Sequence, residues 1–342
     1  MSSNSDSSAD GPRQRLLSID EYVDGVLGGD RSVLARAITL VESSAGAHAP
    51  LAAEVLERLL PHSGGALRVG VTGAPGVGKS CLIEALGGHL TGELDRRVAV
   101  LAIDPSSSVT GGSILGDKTR MTRLSRDPRA FIRPSPSAGS LGGVARKTRE
   151  AMLLCEAAGF DVVLVETVGV GQSEITVRSM VDFFLLLILA GAGDELQGIK
   201  KGVIELCDTL VITKADGDNL QQAERARAEY ARALGFLAPI TEGWRVDALT
   251  CSSRSGSGVP ELWQLIERHE RHSRDSGFLE RRRRRQALDW MRSLIAGRLE
   301  RDFYRDPQVR TLRSEVEQAL EQGRLAPSAA ALRLLRAAGL EE

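Results

Sequence analysis

One octapeptide constrains this chain more than any other feature: Gly73-Ala-Pro-Gly-Val-Gly-Lys79-Ser80. It matches G-x-x-x-x-G-K-[ST] without deviation, follows the apolar run RVGVT (Arg68–Thr72) and precedes the helix-forming CLIEAL. Strand, glycine loop, helix is the context in which this pattern forms a phosphate-binding loop. Its glycines let backbone N–H groups converge on a phosphate, and the helix start adds positive potential. Lys79 then bridges the β- and γ-phosphates and Ser80 ligates Mg²⁺. The candidate nucleotide-binding set is Gly73, Ala74, Pro75, Gly76, Val77, Gly78, Lys79, Ser80 and Cys81.

The surrounding pattern supplies the fold that such a loop requires. Arg68–Thr72, Val98–Asp104, Asp161–Glu166, Phe183–Leu189 and Thr209–Thr213 are apolar throughout rather than alternating, as parallel strands covered on both faces are. Helical stretches over 143–158 and 220–234 lie between them. The expected fold is an α/β P-loop NTPase with a doubly wound, mostly parallel sheet. Of the 36 glycines, 23 fall between Gly64 and Gly217, the same stretch that carries the loop.

Flanking segments differ in character. Residues 1–13 (MSSNSDSSADGPR) are too polar to fold and read as a disordered tail. An N-terminal helical extension is expected over 14–62. There Asp30 can cap a helix bearing Val33, Leu34, Ala37, Ile38 and Val41, and Leu51, Val55, Leu56 and Leu59 follow at helical spacing before Pro61. The P-loop domain is assigned to 63–272. A C-terminal helical region, 273–342, carries three helices over 280–304, 307–322 and 327–338. The run Arg281–Arg285 reads as a solvated helix face.

Composition removes several function classes. Lys+Arg 44 against Asp+Glu 45 leaves a net charge of −1, and only 13 residues are aromatic, so nucleic acid is not an expected partner. The longest apolar run, Phe183–Ala190, is far short of the roughly 20 residues of a membrane span, so no membrane partner is expected. Cys81, Cys155, Cys207 and Cys251 form no CxxC pair, and no signal peptide is read at the N-terminus. A reduced, cytoplasmic protein is expected.

Two carboxylates suit the metal side. Asp104 closes one strand and Glu166 another, at the edge where the P-loop opens. One is expected to hold Mg²⁺ through water and the other to orient the attacking water. Glu166-Thr-Val-Gly169 stands where many GTPases have D-x-x-G, the start of a γ-phosphate-sensing switch. On the base side, Thr213-Lys-Ala-Asp216 resembles the N-K-x-D guanine signature with Thr for Asn. Asp216 would accept from guanine N1 and N2, which adenine cannot offer, and Lys214 would lay its stem along the base. Cys251-Ser252-Ser253, after an expected strand over 244–250, would close the far side.

Three longer segments carry a family resemblance: AIDPSSSVTGGSILGDKTRM (Ala102–Met121), LCEAAGFDVVLVETVGVGQSE (Leu154–Glu174) and GDELQGIKKG (Gly193–Gly202). They resemble the methylmalonyl-CoA mutase-associated GTPases, the MeaB or ArgK type to which the human methylmalonic aciduria type A protein belongs. The resemblance implies a homodimeric GTPase that binds GTP and GDP with Mg²⁺. It implies a chaperone of an adenosylcobalamin-dependent acyl-CoA mutase, gating cofactor loading and protecting or reactivating that enzyme. By the same resemblance, Mg²⁺ and switch positions fall on Ser80, Asp104, Asp117 and Glu166, with Lys79 on the phosphates. A partner-signalling segment corresponds to about 189–200, with Lys200 its nucleotide-sensing residue. The catalytic set so implied is Lys79, Asp104, Glu166 and Lys200, and the C-terminal helices resemble a dimerisation arm. Gln172 is a further candidate for positioning water.

Two other functions fit the residues less well. A nickel-type metallochaperone GTPase needs His-rich tracts or a Cys/His metal pair, whereas the five histidines here are isolated. A kinase linked to amino-acid transport needs an acceptor hydroxyl in line with the γ-phosphate, and nothing marks such a site. Cobalamin held by this chain itself is not expected: His62-Ser-Gly-Gly65 fits the H-x-x-G half of the mutase signature D-x-H-x-x-G, but Leu60 stands where Asp is needed.

Overall fold

The computed structural model describes residues 15–43, 45–104, 121–136, 141–167, 173–191 and 201–340. Asp117, Gln172 and Lys200 lie outside the described residues, as do most of the segment 189–200 and the tail 1–13.

Among the described residues seven strands form one parallel sheet: β1 (Leu67–Gly73), β2 (Val98–Asp104), β3 (Ala130–Pro136), β4 (Val162–Thr167), β5 (Phe183–Leu189), β6 (Thr209–Thr213) and β7 (Asp247–Thr250). Their order is β3-β2-β4-β1-β5-β6-β7, with every pairing parallel. The phosphate-loop strand is therefore central, between β4 and β5. In β5 the sequence FFLLLIL is buried almost end to end, because helices cover both faces.

The helices before the sheet are α1 (Ile19–Leu27), α2 (Arg31–Glu42) and α3 (Ala49–Leu59). Ser18 caps α1 in a reciprocal box: Glu21 N–H donates to Ser18 Oγ at 3.2 Å, and Ser18 N–H donates to Glu21 Oε2 at 2.6 Å. Asp30 caps α2, accepting from the Ser32 and Val33 amides at 2.7 and 3.1 Å. Within and after the sheet come α4 (Lys79–Gly92), α5 (Leu141–Ala157), α6 (Ser173–Arg178), α7 (Lys201–Ile204), α8 (Leu220–Leu234) and α9 (Val259–Asp275). One face of the sheet packs on α4 and α9 through Leu82, Ile83, Leu86, Leu262 and Ile266. The other packs on α5, α6 and α8 and continues into α1–α3 through Tyr22, Leu34, Ile38 and Val55. The N-terminal helices thus share a core with the sheet rather than forming one of their own.

Three elements depart from the sequence reading. β3 is not expected from its pattern: AFIRPSP carries Pro134 and Pro136, which deny ladder donors and disguise a strand. Its place at the edge of the sheet, paired among the described residues with β2 alone, is where proline is tolerated. The strand expected over 244–250 is only Asp247–Thr250, because the Trp244 amide closes a turn onto Thr241 O at 3.0 Å. Helix α1 is the third, since its capping signal lies next to the polar tail.

The chain divides into two compact units, one up to Leu279 and one from Glu280. The second holds most of α10 (Phe278–Arg305), with α11 (Pro307–Glu321) and α12 (Pro327–Ala337). Val309, Val316 and Ala330 are buried on α11 and α12. Asp306 caps α11 through the Gln308 and Val309 amides at 2.8 and 3.1 Å. No helix of the described residues is long and apolar enough to cross a membrane.

Candidate nucleotide site

The loop Gly73–Ser80 leaves the C-terminal end of β1 and enters α4. All three of its glycines have positive φ, Gly76 at +77° among them. At Gly73 (φ +150°) a side chain would meet Leu187 O at 2.6 Å, and Gly78 caps α4 at φ +105° in the left-handed region. Pro75 and Gly76 are exposed, while Val77 is buried and anchors the loop in the core. The Lys79 ammonium, itself buried, donates to Gly73 O at 2.8 Å and Ala74 O at 3.1 Å. This contact holds the positive charge across the mouth of the loop.

On the same side of the sheet Ser80 Oγ donates to Glu166 Oε1 at 2.8 Å. Glu166 is almost fully buried at the end of β4, next to the loop strand. Its alternation along β4 places it with Leu164 and Val162 on the α4 face. The two oxygen donors are hard ligands, and a serine hydroxyl beside a carboxylate suits Mg²⁺, which takes few protein ligands and keeps several waters. Asp104 closes β2, whose Ala102 pairs with Glu166, so its backbone sits on the same sheet edge. Among the described residues no three His, Cys, Asp or Glu side chains gather as a metal cluster.

The T-K-x-D turn lies at the ends of β6 and β7. Asp216, half-buried, accepts a short hydrogen bond from Ser252 Oγ, and Ser252 is fully buried. The same hydroxyl accepts from the Ser255 amide at 3.2 Å. Ser252 therefore orients the carboxylate and is itself turned away from solvent, whereas Ser253 and the exposed Lys214 lie nearer the surface. Lys214 adopts φ +56°, a left-handed conformation costing a β-carbon residue about 1–3 kcal/mol. Asn219 Nδ2 donates to its carbonyl at 2.8 Å, and the Ala215 amide to Cys251 O at 3.2 Å, which hold the turn.

Thr213, the departure from N-K-x-D, has a use that the motif alone does not show. Its hydroxyl donates to Val77 O of the phosphate loop at 2.6 Å, with Ile188 O at 3.3 Å, and the residue is buried. Strand β6 is thereby tied to the phosphate loop. We expect Thr213→Val to weaken GTP and GDP binding alike by about tenfold, the effect of one lost buried hydrogen bond. Ser252→Ala should instead narrow the gap between guanine and adenine nucleotides. Fluorescent-nucleotide titrations with both bases separate the two outcomes.

Cysteine chemistry is equally uneven. Cys155, Cys207 and Cys251 are buried, and desolvation pushes their thiols up, those of Cys207 and Cys251 to about 12. Cys81, in the first turn after the loop, is exposed. A thiol titration of the native protein at pH 8 should count about one reactive group and find it at Cys81.

Other sequence features fall outside the site. Leu60–His62 is a single 3₁₀ turn, and Gly64 N–H beyond it donates to Glu156, so the H-x-x-G stretch serves a connection. At the opposite end of the sheet, Arg178 grips Asp208 through Nη1–Oδ2 at 2.7 Å and Nη2–Oδ1 at 3.1 Å. Asp208 also accepts from the Phe184 amide at 2.9 Å and from Thr241 Oγ1 at 3.2 Å. Thr241 in turn meets His269 Nε2 at 3.1 Å. No local sequence signal marks this cluster, because its members come from distant segments.

Comparison with known proteins bears on this arrangement. A family model described as "Methylmalonyl Co-A mutase-associated GTPase MeaB" matches residues 34–308. A probable GTPase of Mycobacterium tuberculosis is 53% identical over 327 residues, covering 94% of this chain and 97% of its own. The mitochondrial methylmalonic aciduria type A homolog of Mus musculus is 46% identical over 329 residues, covering 93% of this chain and 79% of its own. Among solved structures, one titled "LAO/AO transport system kinase" superposes with a TM-score of 0.75 at 37% identity, covering 94% of this chain and 99% of that one.

Proposed function

Because the chain belongs to the methylmalonyl-CoA mutase-associated GTPase family and is thus a GTPase, we propose that it serves as chaperone to an adenosylcobalamin-dependent acyl-CoA mutase. Methylmalonyl-CoA mutase is the first candidate client. GTP binding and hydrolysis would gate cofactor loading and protect or reactivate the mutase. The observation that carries the partner assignment is the match over residues 34–308 to a family described by its association with that mutase.

The site residues take the following roles in this reading. The amides of Gly76–Cys81 cradle the phosphates, and Lys79 exchanges its two loop carbonyls for β- and γ-phosphate oxygens, gaining charge-assisted bonds about twice as strong as neutral ones. Ser80 and Glu166 would hold Mg²⁺, with Asp104 beside them; the ion supplies neutralisation of charge on the phosphates. Asp216, held by Ser252, reads guanine, and Lys214 covers the base. Asp117 and Lys200 are carried over from the family resemblance as metal and nucleotide-sensing residues; Gln172 is a candidate water-positioning residue by its type and its closeness in sequence to Glu166.

Dimerisation through the C-terminal helices belongs to the same proposal. Helix α10 carries Leu288, Met291, Ile295 and Leu299, each at least half exposed and at helical spacing, which supports a second chain as the occupant. Tagged protein incubated with purified mutase tests the reading. Complex formation and faster GTP turnover in the complex are expected. A mutase that neither binds nor changes turnover refutes the assignment. The name of the solved relative raises a kinase as the second reading; labelled γ-phosphate recovered only as free phosphate excludes it.

A further inference from the structure

Two buried threonines stand where the phosphate loop and the Glu166 strand leave the sheet. Thr72 is the last residue before Gly73, and Thr167 directly follows Glu166. β1 and β4 are parallel neighbours with Val71 opposite Glu166, so the two threonines come side by side one step further along. Both are fully buried, and Thr167 Oγ1 donates to Thr72 Oγ1 at 2.9 Å, with Val71 O at 3.5 Å.

Face and place give this contact its meaning. Alternation turns Glu166 toward α4 and Ser80, and turns Thr167 and Thr72 to the opposite face, with Val163, Val165 and the α5–α6 layer. β1 and β4 pair with each other as far as Val71 and Glu166; one step on, Thr72 still pairs with Leu186 of β5 and Thr167 with Ile103 of β2. Between β1 and β4 themselves, the contact at this point passes from backbone to side chains. A β-branched residue is already stiff at χ1, and a hydroxyl bond between two such residues fixes one separation between the strand ends. Those ends carry the loop that receives the phosphates and the carboxylate that meets Ser80.

We propose that Thr72 and Thr167 are a positioning pair for the GTPase site, holding Glu166 at the distance from the phosphate loop that the metal-bound nucleotide needs. Neither threonine touches nucleotide; both act through Glu166 and Ser80. The inference rests on the assignment of Ser80 and Glu166 to Mg²⁺.

Thr167→Val, Thr167→Ser and the double variant Thr72→Val/Thr167→Val test it in the full-length protein. One readout is the ratio of fluorescent GDP affinity with Mg²⁺ to that in EDTA; the other is the split between kcat and KM for GTP. Thr167→Val is expected to shrink the affinity ratio about tenfold, the effect of one buried hydrogen bond, and to lower kcat at little change in KM. Thr167→Ser should keep parent values, because it retains the hydroxyl. The double variant, an apolar pair of the same shape, should fold well and stay impaired. Recovery of parent values by the double variant overturns the proposal, since the hydroxyls would then merely satisfy each other. So does a Thr167→Val protein that loses thermal stability while its affinity ratio and kcat are unchanged. Should Thr167→Val alone fail to fold, the double variant decides between the two outcomes. If Glu166→Gln leaves the parent's Mg²⁺ effect on GDP binding intact, it is the metal assignment that fails, a result distinct from failure of the threonine pair.

Discussion

Glu166→Gln should fold, bind guanine nucleotide and lose about a hundred- to a thousandfold in kcat, the scale on which one preorganised electrostatic group acts. Glutamine is nearly isosteric and its amide oxygen can still accept from Ser80 Oγ, now at 2.8 Å from Oε1. What it lacks is the negative charge. With that charge gone, the proposed Mg²⁺ site should hold a cation less tightly, and no carboxylate would remain in this place to orient water. KM for GTP should change little, because in the proposed reading the amides of the loop and Lys79 supply the phosphate contacts. Single-turnover hydrolysis beside nucleotide titration gives the measurement. A kcat within about threefold of the parent, far short of the loss expected of such a group, would move Glu166 out of the catalytic set and leave Asp104 as the carboxylate of the site.

Asp208→Ala is the largest expected loss of stability, and it lies at the far end of the sheet from the nucleotide. Removing this carboxylate takes the bidentate partner from the buried Arg178 guanidinium and an acceptor from the Phe184 amide and Thr241. Breaking one partner of a buried pair costs about 3–5 kcal/mol. For a unit of this size, that is a fall in Tm on the order of 10 °C. Arg178→Met should cost less than Asp208→Ala, since it leaves Asp208 with its amide and hydroxyl donors. The double Arg178→Met/Asp208→Leu should recover part of the loss, because apolar replacement of a buried pair is often tolerated. Thermal unfolding of the three variants decides it; equal Tm values for parent and Asp208→Ala would mean the pair contributes nothing net.

How legible this protein is depends on how far apart the cooperating residues lie. Gly73–Ser80 is contiguous, so its chemistry, its loop geometry and the flanking strand and helix are all written in neighbouring residues. The strands that read as apolar runs are legible because burial on both faces removes polar residues from them. β3 is not, because it is an edge strand, where burial is incomplete and Pro134 and Pro136 are permitted. Helix α2 is readable from Asp30 and its apolar spacing. That it packs on the α5 face of the sheet is not, since an amphipathic face states only that something covers it.

The same division runs through the site. Types and order determined that this chain binds a nucleotide phosphate, that two acidic residues end strands near it, and that a T-K-x-D turn follows β6. Only the tertiary structure decided that Thr213 serves the phosphate loop through Val77, that Ser252 faces Asp216, and that Thr72 meets Thr167. Each of these is a hydrogen bond between segments 36 to 136 residues apart. A local sequence pattern records the backbone conformation that a segment prefers and the face that it must bury. It does not record which distant hydroxyl will stand beside it, because that is set by strand order and register, and these are chosen by the packing of the whole sheet.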